Sequence, residues 1–72
     1  MATVPDADKL RLLLPHWMEH NAEHADEFRN WAQKARAIGL ELTAEEIETA
    51  AKELGWVNDA LTAALEYLDR NK

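Results

Sequence analysis

An all-α fold is predicted for this chain of 72 residues by three observations. Helix-forming Ala, Leu, Glu and Lys dominate it, only two glycines and two prolines punctuate it, and its apolar residues recur at intervals of three and four. The length holds one domain with a small core and leaves little room for a catalytic cleft, so a non-enzymatic role is expected.

The first element is a short helix over about residues 6–14. Asp6 offers a cap, and Asp8 in the first turn suits the positive end of a helix dipole. Pro15 lacks the helical N–H donor and biases Leu14 away from α geometry, which predicts a break near Leu14 in place of a kink. A long helix is expected over about 15–38. There Trp17, Asn21, His24, Phe28, Trp31 and Ala35 form one stripe that should face a partner, with the two tryptophans in the core. Gly39 then supplies the left-handed residue that stops a helix.

Thr43-Ala44-Glu45-Glu46 fits a capping box, so the last helix should span about 43–70. Ile47, Leu54, Leu61 and Leu68 recur every seven residues with Ala50, Val57 and Ala64 between them, a coiled-coil-like seam. Gly55 interrupts it at a cost of about 1 kcal/mol relative to alanine, and close helix approach is the expected reason.

These elements assemble most economically as an antiparallel helical hairpin with the short N-terminal helix folded across one end. Such a core supplies only about 3–5 kcal/mol, so reinforcement is expected. Trp56, Ala60, Ala63 and Tyr67 make a second apolar strip opposite the leucine seam, which a lone hairpin would leave wet. A homodimer of two hairpins forming a four-helix bundle would cover it, as would a helical protein partner.

The charge balance limits other partners. Eight Lys and Arg against fourteen Asp and Glu give a net charge of −6, which disfavours nucleic acid and anionic membrane surfaces. No cysteine is present, so disulfides, thiolate zinc sites and cysteine nucleophiles are excluded. No run is long and apolar enough for a signal or membrane segment, and a cytoplasmic protein is expected.

The chemically suggestive stretch holds all three histidines, His16, His20 and His24, at four-residue spacing, each followed three residues later by Glu19, Glu23 or Glu27. Adjacent imidazoles one turn apart can hold a divalent zinc, nickel or cobalt ion, with Glu23 or Glu27 as further donors. The outer pair is separated by about 12 Å of helical rise, so all three cannot share one ion. The zinc-protease motif fails because Trp17 stands where its glutamate base would be, and the di-iron motif lacks its glutamates at positions 13, 17 and 21. In the alternative reading, His24, Asn21 and Asn58 satisfy one another in an interhelical hydrogen-bond network with no metal. His16 is expected in solvent.

The run Glu19-His20-Asn21-Ala22-Glu23-His24-Ala25-Asp26-Glu27-Phe28, with the later Asn58-Asp59-Ala60-Leu61 and Ala64-Leu65, resembles small two-helix domains of uncharacterised bacterial and archaeal proteins. The likeness spans roughly Leu12 to Leu68, and its most specific parts are His-Asn-x-x-His and the later Asn-x-x-Leu. Some such domains follow histidine-rich tails in proteins loosely described as handling cobalt or nickel. The resemblance therefore implies a two-helix fold and marks His20, Asn21, His24 and Asn58 as the positions to follow. Two functions are carried forward: a divalent-metal module, and an oligomerisation or protein-interaction domain.

Overall fold

The computed structural model describes residues 5–70. They form two helices, α1 over Asp6–Ala37 and α2 over Glu41–Arg70. Arg11 faces Asp69 at the open end and Arg36 faces Glu41 beside the turn, so the helices run antiparallel along their whole length. The result is a single layer of two helices measuring 58 × 21 × 12 Å. The all-α hairpin agrees with the sequence. A separate N-terminal helix is not present among the described residues, and this one chain builds two helices, not a four-helix bundle.

Pro15 does not break the chain, contrary to expectation. It lies inside α1, exposed, with Leu14 beside it buried to 5% exposure. Proline removes one i→i−4 hydrogen bond, that to the Arg11 carbonyl, and Pro15 itself sits at an exposed position of the helix. Packing holds the turns on either side of it. Leu14 docks below, and the Arg11 Nε lies 3.7 Å from an Asp69 carboxylate oxygen at the far end of α2. Tertiary contact therefore outweighs local preference. Asp6 is likewise the first helical residue and not the cap: Pro5 takes that place, its carbonyl accepting the Asp8 and Lys9 N–H groups at 3.0 and 3.2 Å.

The turn follows the sequence closely at its first half. Gly39 has φ 87°, its N–H donates to the Arg36 carbonyl at 3.0 Å, and the Leu40 N–H reaches the Ala35 carbonyl at 2.9 Å. This pair of bonds closes α1 in a Schellman arrangement. The second half departs from expectation, because α2 begins at Glu41 and Thr43 is already inside it. The Leu40 carbonyl accepts the Ala44 N–H at 2.9 Å, so the first helical bond forms three residues before the expected capping box could. The tight glycine turn re-enters helix at once.

The core is a strict alternation of three- and four-residue steps. On α1 the inward positions are Arg11, Leu14, Met18, Asn21, Ala25, Phe28, Ala32 and Ala35, and all are buried or half-buried. On α2 they are Ala44, Ile47, Ala51, Leu54, Asn58, Leu61, Leu65 and Leu68. The heptad leucines thus face inward as read, but their companions are Ala44, Ala51, Asn58 and Leu65. Val57 and Ala64 are exposed. The α1 stripe is displaced in the same sense, for Asn21, Phe28 and Ala35 belong to it while Trp17 and Trp31 are 41% and 61% exposed.

Alanine accounts for this rotation. Ala25, Ala32, Ala44 and Ala51 are at most 5% exposed, and small side chains let two helices approach closely, a gain invisible to a count of large apolar residues. The most protected cluster is Ala32, Ala35 and Ala44 with Ile47 packed against it, beside the turn. Larger residues, Leu14, Met18, Leu61 and Leu65, occupy the open end. Among the described residues no large side chain is fully buried.

Candidate functional site

Midway along the seam the two helices exchange amide hydrogen bonds. The Asn21 Nδ2 donates to the Asn58 Oδ1 at 3.0 Å, and the Asn58 Nδ2 donates to the Met18 carbonyl at 2.9 Å. Both asparagines are half-buried. A polar pair at inward positions costs stability relative to leucine, but it satisfies its partners in one alignment of the helices only, and so fixes which residues lie side by side. The network expected at these two residues is present. His24 is not part of it.

His24 stands outside the seam, its side chain 48% exposed, with Nδ1 3.1 Å from a Glu27 carboxylate oxygen. The reason is the same rotation of the helix toward its alanine face: His24 occupies the row next to the core together with Trp17 and Trp31. The three imidazoles form a ladder up the outside of α1. Ring centroids are 5.7 Å apart for His16 and His20 and 5.0 Å for His20 and His24, and His24 lies 6.3 Å from the Phe28 ring. His16, His20 and Glu23 are exposed. Among the described residues no group of three or more His, Asp or Glu side chains is arranged to hold one metal ion.

The hairpin has two broad faces, and they differ in chemistry. One follows Pro15, Ala22, Arg29 and Arg36 of α1 and Glu41, Glu48, Gly55, Thr62 and Asp69 of α2. Arg36 organises it, donating through Nε to Glu41 at 2.8 Å and through both terminal nitrogens to Glu48 at 2.8 and 3.0 Å. The forked hydrogen bond to Glu48 holds the Arg36 guanidinium above its ordinary pKa range, and the same bond lowers the Glu48 carboxyl below its usual value. This cluster was not anticipated. The i, i+12 spacing of Arg36 and Glu48 identifies a contact only once the turn between them is placed.

On the same face a groove of about 180 Å³ runs beside the asparagine pair, lined in part by Ala22, Asp26, Arg29 and Gly55. Gly55 does not mark close helix approach, because a Cβ built there meets nothing within 4 Å. The expectation fails because position 55 is not inward at all: it lies one step past Leu54, toward solvent.

The opposite broad face follows Trp17, His24, Trp31 and Ile38 of α1 and Ala50, Val57 and Ala64 of α2. Ile38 is 73% exposed and Val57 44%. Trp31 is 61% exposed, and the Lys34 Nζ sits 4.4 Å from its ring centroid. The expected interface residues on α2 divide between this face and the outer edge. Ala60 and Tyr67 extend the face, while Trp56 and Ala63 sit on the edge. Trp56 and Tyr67 are 62% and 63% exposed, and Arg70 lies over the Tyr67 ring at 5.4 Å.

No helix among the described residues is long and apolar enough to cross a membrane. No curated protein and no solved structure matches the chain. One family model does match, described as a domain of unknown function, DUF8180, and it covers residues 10–68, from the first turns of α1 almost to the end of α2. The hairpin, with its asparagine pair and its apolar face, therefore belongs to that family.

Proposed function

We propose that this chain is a non-enzymatic helical association module, which completes its core against another helical surface. The observation that carries the reading is a mismatch between what is buried and what is not. The buried set is Leu14 and five alanines, whereas Trp17, Trp31, Trp56, Tyr67 and Val57 are all more than 40% exposed. Large aromatics dominate the energetics of small cores and interfaces, so a chain that packs alanines inside and leaves tryptophans outside keeps most of its apolar area for a second surface. Homodimerisation into a four-helix bundle is the simplest form, with a helical partner protein as the other.

Thermal melts followed by circular dichroism over a hundredfold range of chain concentration test this reading. A melting temperature that rises with concentration, or an isolated chain that is only marginally folded, is expected. A monomer that melts cooperatively at high temperature and independently of concentration would overturn it.

A second reading rests on the imidazole ladder. His20 and His24, at 5.0 Å between centroids on an exposed face, can offer two nitrogens to a zinc, nickel or cobalt ion, with Glu27 beside His24 and Glu23 or His16 one turn away. Two such donors leave the ion open for ligands from a second chain. Titration calorimetry with each ion, and melts of wild type and His20→Ala/His24→Ala, decide it. The absence of any shift at millimolar metal removes this reading.

A further inference from the structure

We infer that a second copy of the chain covers the tryptophan-bearing broad face, about a twofold axis running along the hairpin, so that Trp17 and Trp31 of each chain lie over Ala64 and Ala50 of the other. This inference rests on the association reading above and names its partner and its geometry. Three features of the face argue for a second copy.

The first is its relief. The Asn21–Asn58 bond sets the alignment of the two helices. Stepping outward from it in opposite directions brings Trp17 within about 3 Å along the axis of Ala64, Trp31 within the same distance of Ala50, and His24 of Val57. Along these rows the bulky Trp17 and Trp31 are on α1 and the small Ala64 and Ala50 are on α2, at matching heights. A twofold axis along the hairpin sets the α1 of one copy over the α2 of the other without changing those heights. Each tryptophan then meets an alanine, and the same contact is made twice, as a closed isologous interface requires.

The second feature is extent. The broad face runs the full length of the 32-residue α1, about 48 Å, which is long enough to supply the roughly 800 Å² that a standard-sized interface takes from each partner. The third is the width of the apolar arc. A two-stranded coiled coil needs apolar residues at two positions in seven, whereas helices of a bundle carry a third such row. Both helices carry that third row here, and on both it borders this face. The two residues least suited to a helix interior, Pro15 and Gly55, both lie on the other face. At the rim, Leu13 comes level with Tyr67 of the second copy and Lys34 with Glu46, an apolar and an opposite-charge pair. Glu27 comes level with Glu53, a solvated like-charge pair of small effect.

Sedimentation equilibrium on wild type, Ala64→Glu and Ala22→Glu tests the inference, because Ala64 and Ala22 are both exposed but lie on opposite broad faces. Wild type should sediment at twice the 8.2 kDa chain mass. The change at Ala64, buried twice in the dimer, should weaken association by about a hundredfold or more, while that at Ala22 leaves it within about threefold. Should Ala64→Glu simply unfold, a second measurement keeps the inference open to refutation. The chain has no cysteine, so His24→Cys and Val57→Cys chains can be mixed and oxidised gently. A disulfide joining the two variants should exceed those joining like with like.

A predominance of the 24-to-24 product, or a dimer lost with Ala22→Glu and kept with Ala64→Glu, overturns the arrangement and leaves the association reading standing. A poorly folded wild-type monomer also overturns it, in favour of a different protein as partner. A well-folded monomer at all concentrations overturns both.

Discussion

The two broad faces of this hairpin are made by the same two helices, yet one carries paired charges and the other exposed aromatic and aliphatic side chains. On the charged face Arg36 bridges Glu41 and Glu48, and Arg29 pairs with Asp26 at 3.1 Å, so that the cations have partners within the chain. On the opposite face Trp31 is 61% exposed, with the Lys34 chain laid across its ring. Two of the three exposed tryptophans, Trp17 and Trp31, lie on that face, while Trp56 sits on the outer edge. Surface aromatics scattered singly need no explanation, whereas Trp17 and Trp31 lie in one row bordering the core, and the association proposed above is built on that row.

The sharpest way to break this contrast is Pro15→Ala. Proline in a helix interior costs about 3 kcal/mol relative to alanine, and nothing but solvent lies outside Pro15, so stabilisation approaching that figure is expected in chemical denaturation. No gain would mean that the charged face uses the local distortion, and would weaken the assignment of that face to solvent. Asn58→Ala probes the seam between the faces. It removes two interhelical hydrogen bonds and should destabilise by about 1–3 kcal/mol, most of it from the Asn21 amide left without its partner. The double change Asn21→Leu/Asn58→Leu should instead hold or raise stability while losing a single helix alignment, visible as broadened NMR spectra.

Gly55→Ala should raise stability by about 1 kcal/mol, because the new methyl meets nothing within 4 Å. If it also left association unchanged, the division of labour between the faces would be sharpened. The smallest effect is that of acid. Glu48 has its folded pKa lowered by Arg36, so its contribution to stability is complete above the ordinary carboxyl value of 4.5 and is lost as pH falls through the lower folded value. Melts of wild type and Glu48→Gln should therefore differ above the ordinary carboxyl value of 4.5 and converge only as pH falls through the lower folded value, with the difference reduced by salt.

Much of this was legible in the sequence, and the places where it was not share a cause. Gly39 was readable as a helix stop because only a left-handed residue closes that turn, and φ 87° agrees. Ile47, Leu54, Leu61 and Leu68 were readable because a seven-residue repeat survives any choice of rotation. The stripe on α1 came out one row away from the true seam, and so did the companions of the leucines on α2. Counting large apolar residues averages the hairpin seam with the tryptophan face and points between them. Alanines 25, 32, 44 and 51 contribute little to such a count, yet they decide where two helices can touch most closely.

Composition and periodicity alone determined that this chain is helical, where its turn lies, and that it has no cysteine chemistry. Only the tertiary structure decided which part of the apolar surface is packed inside the hairpin. It did so through contacts that no local rule contains: small residues permitting close approach, the Asn21–Asn58 bond choosing one alignment, and docking of Leu14 carrying α1 straight through Pro15. Local preference acts over one turn, whereas the choice of face is made jointly by residues nearly forty positions apart.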